Sequence, residues 1–544
     1  MTVSAEKYPQ MATALFKAQV GTPLANSSPP MNPPHYPEPT WIRVTGPTSA
    51  IYTRPLLGSE LFDDRTSVLF DGMTDACVGF IFRSTRTADE VKQRARNAFG
   101  RLRFTCPIIA TNIVGDVSGP VPRSWAYSTL HNQSEFAIWL NDAFCTVQRG
   151  DHLDVSAFVQ DISRCRLPYE LHSRSPLWFR CYLLLGDNNT YGLYFHGPHA
   201  IMDGVPTLNA FALMFQWMAN DTTESADNLP WGTEWLNLPL GPVNATGGPR
   251  EDWGIAGVQL LKQLSDSQVA HSIPLTLRPS WISQGAVGKT FRLERIFNPS
   301  LTRRLVNKAR MVGCTMSHLF EAAHCMVMLA HSHLPPTKWN AYHFSANSSA
   351  ASLIPHLRLP YDAKTHFISS RTHLPIQIPM DEISSIISPR KQLLQIAQSL
   401  KQKSARFATH PCMPHVQAAR AYQPDALSEE PDVVSSGTVN NVGSIERRLP
   451  LSWKGEHDTE RPAIELESVL FSVRVTSLAP IIHLWTMKDC LHVQIQANDA
   501  WPQADLQDVL DDICCRACLI LEDFPQNPPR SHPSDMWLDE RSRL

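Results

Sequence analysis

Between Trp178 and Met218 the chain runs through two apolar stretches, a polar break and a long apolar helix, an order that few folds accept. Trp178 to Leu185 (Trp-Phe-Arg-Cys-Tyr-Leu-Leu-Leu) reads as a buried strand, Asp187-Asn188-Asn189 as a turn, and Tyr191 to His196 as the returning strand. Asp203 to Met218 follows as a helix. A hairpin this apolar needs helices packed over its sheet, so the fold class expected is α/β, with layers of strands and helices.

The rest of the chain keeps the same grammar. Ala76 to Phe82 is strand-like, and Thr87 to Leu102 has charges at helical spacing with Thr87 or Asp89 as its cap. From Ala219 to about Ser283 the text is loop-rich. Thr290 to Ile296 opens a second globular stretch, and Asn298-Pro299-Ser300 caps a helix that Gly313 ends. Thr315 to His331 is another helix, followed later by strand-like Val433–Val434, Ile464 to Thr476, Ile481 to Thr486 and Leu491 to Gln496. The expected organisation is an extended arm and first elements over 1–66, a first globular half over 67–245, a crossover over 246–289, a second half over 290–524 and a polar tail over 525–544. The arm contains a proline-rich run, Pro29-Pro30, Pro33-Pro34, Pro37 and Pro39.

Charge excludes some partners. With 48 basic and 51 acidic residues the net charge is -3, and no block of one sign stands out, so neither a nucleic-acid face nor an acidic tail is expected. A small, uncharged or modestly charged substrate fits better. Glu6, Lys7 and Lys17 interrupt the first twenty residues, and no run approaches the ~18 apolar residues of a membrane span. The expectation is a soluble, monomeric protein made inside the cell. Ser542-Arg543-Leu544 is a one-residue variant of the Ser-Lys-Leu peroxisomal address, which leaves peroxisome and cytoplasm both open. Cys514, Cys515 and Cys518 fall at helical spacing within Leu506 to Leu521 and have no second Cys-x-x-Cys, so they read as core of a buried helix rather than as a metal site.

Chemistry concentrates in His-Gly-Pro-His-Ala-Ile-Met-Asp-Gly, residues 196–204. His199 and Asp203 stand four apart, after a strand and at the start of a helix, so both side chains emerge from one face of the turn. Gly204 then relieves crowding where the chain reverses. An alcohol needs a base to remove its proton as it attacks, and neutral imidazole suits that task near pH 7. A carboxylate nearby can fix the turn, or pair with an arginine, so that the ring stays aimed.

Phe195 to Gly204 resembles the His-His-x-x-x-Asp-Gly region of the CoA-dependent acyltransferase superfamily, which includes plant BAHD enzymes, fungal trichothecene and alcohol acetyltransferases, and condensation domains. Ser175-Pro-Leu-Trp-Phe-Arg, Met311-Val-Gly-Cys-Thr-Met-Ser-His-Leu-Phe-Glu-Ala-Ala and Val434-Ser-Ser-Gly resemble further segments of that superfamily, so the likeness spans roughly Phe70 to Phe524. The fungal trichothecene branch resembles it most. The resemblance implies two chloramphenicol-acetyltransferase-like lobes with an active-site tunnel between them and His199 at its middle as general base. It implies acyl-CoA as co-substrate, with no bound cofactor and no metal, and a small-molecule alcohol as acceptor. Asp203 would turn away from the ring and hold the loop, and Ser436 or Gly437 would supply an oxyanion donor. The chain departs from the pattern in two places. Pro198 replaces the first histidine of the doubled pair, with His196 two positions earlier, and the plant signature Asp-Phe-Gly-Trp-Gly is absent.

Other readings are weaker. Ser283-Gln-Gly-Ala-Val-Gly-Lys-Thr lacks the first glycine of a phosphate loop and is followed by strand-like residues where that loop needs a helix. No Gly-x-Ser-x-Gly elbow occurs. His196, His199 and Asp203 as metal ligands lack the helical i, i+4 histidine pair. Three alternatives stay open: an acyl donor on a carrier protein, a non-catalytic scaffold, and a different reaction in the same tunnel.

Overall fold

The computed structural model describes residues 38–45, 50–116, 123–148, 154–171, 176–267, 272–280, 289–383, 387–421, 437–455 and 461–523. The proline pairs of the arm, most of the phosphate-loop look-alike, Val433 to Ser436 and the Ser542-Arg543-Leu544 terminus lie outside them.

The first half contributes β1 (Ala76–Ser84), α1 (Ala88–Thr105), β2 (Phe144–Gln148), β3 (Arg180–Leu185), β4 (Thr190–Gly197) and α2 (Gly204–Ala219). The second contributes β5 (Thr290–Phe297), α3 (Pro299–Met311), α4 (Met316–His331), β6 (Tyr342–Ser352), β7 (Arg371–Pro379), α5 (Pro389–Ala408), β8 (Thr438–Ser444), β9 (Ser452–Trp453), β10 (Ile464–Val473), β11 (Ile481–Met487), β12 (Cys490–Asn498) and α6 (Gln503–Cys518). Local chemistry explains the boundaries. Thr87 and Glu90 form a capping box at α1. Asn298 caps α3 through the N–H of Leu301, Pro299 opens it, and Gly313 follows it with φ +72°. The β3–β4 hairpin turns through Asn188 and Asn189, both left-handed, as its tight loop demands.

Six strands form the main sheet of the first half, in the order β9-β10-β1-β4-β3-β2. A second sheet runs β5-β12-β11-β8, and in a third β6 lies between β7 and the short strand Ile273–Pro274. This mixed α/β architecture agrees with the expected fold class. The expected division of the chain at 290 is crossed, however, because β9 and β10 belong to the second half and complete the sheet of the first. The stretch 246–289 is likewise more than a crossover. It includes the helix Val258–Asp266, and Trp253, Leu260, Leu264 and Leu277 are buried in the second core. Amphipathic spacing outweighs the local abundance of Pro and Gly there.

The two main sheets meet at the end of β10. Gln494 and Gln496 of β12 each donate to the Phe471 carbonyl at 2.6 Å, and Gln496 Oε1 accepts from the Val473 N–H at 3.0 Å. Past the strand, Arg474 donates to the Asp71 carbonyl at 2.7 Å and pairs with the Asp71 carboxylate at 2.8 Å. The three glutamine bonds are buried and satisfy backbone groups of β10.

Within the main sheet, Gly79 of β1 lets the Tyr194 ring lie against the backbone. A Cβ there would stand 2.2 Å from Tyr194 Cδ1 and 2.3 Å from the Leu193 carbonyl oxygen. Gly79→Ala should therefore cost about 1–3 kcal/mol through overpacking, read as a lowered urea midpoint. An unchanged midpoint would show that β1 and β4 can part at no cost.

Candidate active site

β4 ends at Gly197, and the chain turns through Pro198, whose carbonyl accepts from the N–H groups of Ile201 at 2.9 Å and Met202 at 3.2 Å. Asp203 closes the turn as N-cap of α2, with its carbonyl accepting from Thr207 at 2.9 Å. Its carboxylate does not cap the helix. Oδ2 instead accepts from the Ser370 N–H at 2.6 Å and the Ser370 hydroxyl at 3.3 Å, while Oδ1 lies 3.1 Å from Arg371 Nε. The other side of that guanidinium pairs with Asp63. Asp63 of the helix Ser59–Leu69 and Asp203 of the first half thus share one cation of the second. Burial pushes both acids upward, and Arg371 opposes the shift.

His199 stands inside this frame with 17% of its side chain open. Nδ1 is buried without a well-formed hydrogen bond and lies 3.6 Å from Asp203 Oδ1, too far for one. The Asp203 carboxylate on that side favours a proton at Nδ1. The lone pair is then left on Nε2, the other polar atom of the ring. Burial, reinforced by the Arg371 charge and opposed by Asp203, pushes the imidazole down to about 4, so it is neutral at pH 7.

His199 lines a cavity of about 420 Å³ between the two halves. Ala76, Val78 and Gly204 line it from the first half, and Ser317, Asn440 and His483 from the second. Gly204 is not there to relieve crowding. A Cβ at this position would meet nothing within 4 Å, and the missing side chain leaves cavity space beside His199. His196 does not join the site. It pairs with Cys77 across the sheet, and alternate residues of a strand face opposite sides, so it lies away from Ala76 and Val78. There its Nδ1 bonds Tyr169, which bonds Tyr182 at 2.8 Å. Burial and the charges of Arg474 and Arg180 push His196 down to about 3. Gly437 is left-handed, with φ +85°. Its hydrogen side stands against the Pro480 carbonyl and His324, and it is not among the lining residues. Ser436 lies outside the described residues.

Sequence reasoning found His199, Asp203 and Gly204 and missed Ser370, Arg371, Asp63 and His483. The notion that a carboxylate near the ring pairs with an arginine pointed to the type of residue but not to its position, because no local spacing marks Arg371. Cys514, Cys515 and Cys518 are buried on α6 and form no disulfide among the described residues. Among the described residues no group of three or more His, Cys, Asp or Glu could hold a metal ion, and no helix is long and apolar enough to cross a membrane.

No protein-family model matches the chain, and no curated protein sequence matches it. Solved structures do. A trichothecene 15-O-acetyltransferase from Fusarium sporotrichioides superposes with a TM-score of 0.74 at 17% identity, over 91% of this chain and 99% of that one. The condensation domain of the monacolin K polyketide synthase gives 0.56 at 12% identity, over 87% and 98%. The starter condensation domain of rhizomide synthetase, in complex with C8-CoA, gives 0.54 at 11% identity, over 86% and 95%. The chain therefore has the two-lobed fold shared by acyltransferases and condensation domains.

Arg371→Met keeps much of the side-chain volume but strands two buried carboxylates. It should cost about 3–5 kcal/mol, the loss typical of breaking a buried pair by removing one partner, measured by urea denaturation. A loss under about 1 kcal/mol would show that Ser370 and solvent hold Asp203 without the guanidinium.

Proposed function

We propose that this chain is an O-acyltransferase that moves an acyl group, acetyl in the simplest case, from acyl-CoA to a hydroxyl of a small specialised metabolite. The observation that carries the reading is a neutral, partly exposed His199 whose Nε2 is left for an interlobe cavity, beside an Asp203 already committed to Ser370 and Arg371. The cavity volume falls in the ordinary range for small-molecule sites. The fold relationship with an acetyltransferase and with a domain in complex with C8-CoA supports the donor class.

In this reading His199 Nε2 takes the hydroxyl proton as the oxygen attacks the thioester carbonyl. The tetrahedral intermediate expels the CoA thiolate, and protonated His199 returns the proton to sulfur. Asp203 acts by holding the turn, not by taking a proton. A ring held neutral far below pH 7 is always ready as a base, and the proton it accepts is promptly passed on. Cytoplasmic or peroxisomal residence would both suit an acyl-CoA user.

A second reading keeps the chemistry and changes the donor to an acyl group on a carrier protein. The shared fold with a polyketide-synthase condensation domain favours it. Thiol release from acetyl-CoA across a panel of polyketide and terpenoid alcohols, run beside an acylated carrier protein, separates the two. Under the first reading release requires both CoA thioester and alcohol, and His199→Ala lowers it roughly 10²–10⁴-fold without changing the melting curve. Transfer from the carrier alone would move the donor to the synthase, and silence with both would overturn acyl transfer.

The pH profile makes a separate demand. With His199 held near 4, kcat/KM should stay within about threefold from pH 8 to pH 5. A base at the ordinary histidine value would lose roughly 30-fold over the lower part of that range. An acid limb centred between 6 and 7 would assign the base to another group.

A further inference from the structure

The reaction as written leaves the developing oxyanion without a donor, and it leaves His483 unused. His483 stands on β11 and lines the same cavity as His199. Its ring is 6% exposed and lies parallel to that of Phe471, with centroids 6.4 Å apart. A lone histidine in an apolar strand is by default a core residue. His483 differs because its neighbours specify its tautomer.

Gln496 Nε2 lies 3.3 Å from His483 Nδ1. The amide cannot be turned over, because Gln496 Oε1 accepts from the Val473 N–H at 3.0 Å while Nε2 donates to the Phe471 carbonyl at 2.6 Å. A backbone N–H can only donate and a carbonyl can only accept. One amide proton goes to Phe471 and the second faces His483 Nδ1, which is therefore an acceptor. The neutral ring must then carry its proton on Nε2, and Nε2 makes no hydrogen bond among the described residues. Burial, with the nearby His199 acting in the same direction, pushes the ring down to about 4.

We propose that His483 is the oxyanion donor of this site, offering Nε2–H to the acyl oxygen as the tetrahedral intermediate forms, the role expected of Ser436 or Gly437. The inference rests on the acyl-transfer reading. As the alcohol oxygen bonds to the carbonyl carbon, its proton passes to His199 and the C=O π pair moves onto the acyl oxygen, where His483 meets the charge. Collapse restores C=O and breaks the C–S bond, and the thiolate takes the proton from His199. His483 gains and loses none. A neutral donor suits this cavity, since an imidazolium so near His199 would make that ring a poorer base. Gln496 is a positioning residue, because it acts only by setting the tautomer.

The test compares kcat and both KM values, with the donor and alcohol that wild type accepts, for wild type, His483→Ala, His483→Phe and His483→Gln. Side-chain 15N shifts of wild type report the tautomer, with the His483 signal identified by its loss in the Gln variant. Loss of the donor should lower kcat about 100–1,000-fold in the Ala and Phe variants, with KM values within about threefold. Gln, which keeps an N–H, should recover at least about tenfold of that loss. The spectrum should show a neutral Nε2–H ring from pH 5 to pH 8. An active wild type whose Ala and Phe variants keep kcat within about threefold, or change only KM, overturns the donor role alone, as does an Nδ1–H tautomer. A wild type inactive with both acyl-CoA and acyl-carrier donors overturns acyl transfer and the donor role with it. If the Ala and Phe variants do not fold, the tautomer decides: an Nε2–H ring supports the donor role and an Nδ1–H ring overturns it.

Discussion

The site depends on one guanidinium. Arg371 sits at the start of a second-half strand, and its two acid partners lie far before it in the chain, Asp63 on the helix Ser59–Leu69 and Asp203 in the first half. Placing two carboxylates and one cation in a buried place costs desolvation for all three, and one negative charge has no cation of its own. The Ser370 N–H and hydroxyl, both on Asp203 Oδ2, offset part of that cost. In return the turn that carries His199 is clamped to the opposite lobe, so the cavity wall and the base are positioned by the same contacts. An ion pair confined to one lobe could orient the ring but could not fix its distance from the facing wall.

His196 and His199 show how far a few residues of chain can separate two identical side chains. Burial makes both neutral. The first lies on the far face of the sheet, closed into a hydrogen-bonded row with Tyr169 and Tyr182, and has no route to the cavity. The second lies past Pro198, where strand alternation no longer applies and the turn sets direction. What makes a buried histidine a candidate base is therefore the free nitrogen and the space in front of it, not its lowered basicity.

Local order was legible in the residues wherever short-range chemistry governs it. The Asn298-Pro299 start and Gly313 stop of α3, the Asp187-Asn188-Asn189 turn and the run into α2 all agree with the structure to within a few residues. The pairing of His199 with Asp203 was legible for the same reason. Contacts that join distant parts of the chain were not. Ser370 meets Asp203 across 167 positions, and Gln496 reaches His483 from a neighbouring strand. Neither contact leaves a spacing to read. Gly204 was noticed for the wrong reason, since a glycine that leaves a cavity open looks in sequence like one that permits a tight turn. The loop-rich text of 246–289 hid a short helix because the many Pro and Gly around it drew the reading away from a well-formed but brief apolar stripe, Leu260, Leu261 and Leu264.

The donated strand β10 has a consequence for how such a chain comes into being. Ser84 at the end of β1 bonds the Ala463 carbonyl 379 positions away, so the central strand of the first sheet lacks one of its neighbours until residues 464–473 have left the ribosome. Until then β1 presents an open, apolar edge, the kind of surface that recruits other chains. Closing so long a loop is slow. Elongation and folding are therefore coupled in time. The first lobe waits for β10, and the cavity, whose wall Phe471, Ser472 and Val473 help to build, cannot be complete before that strand is in place.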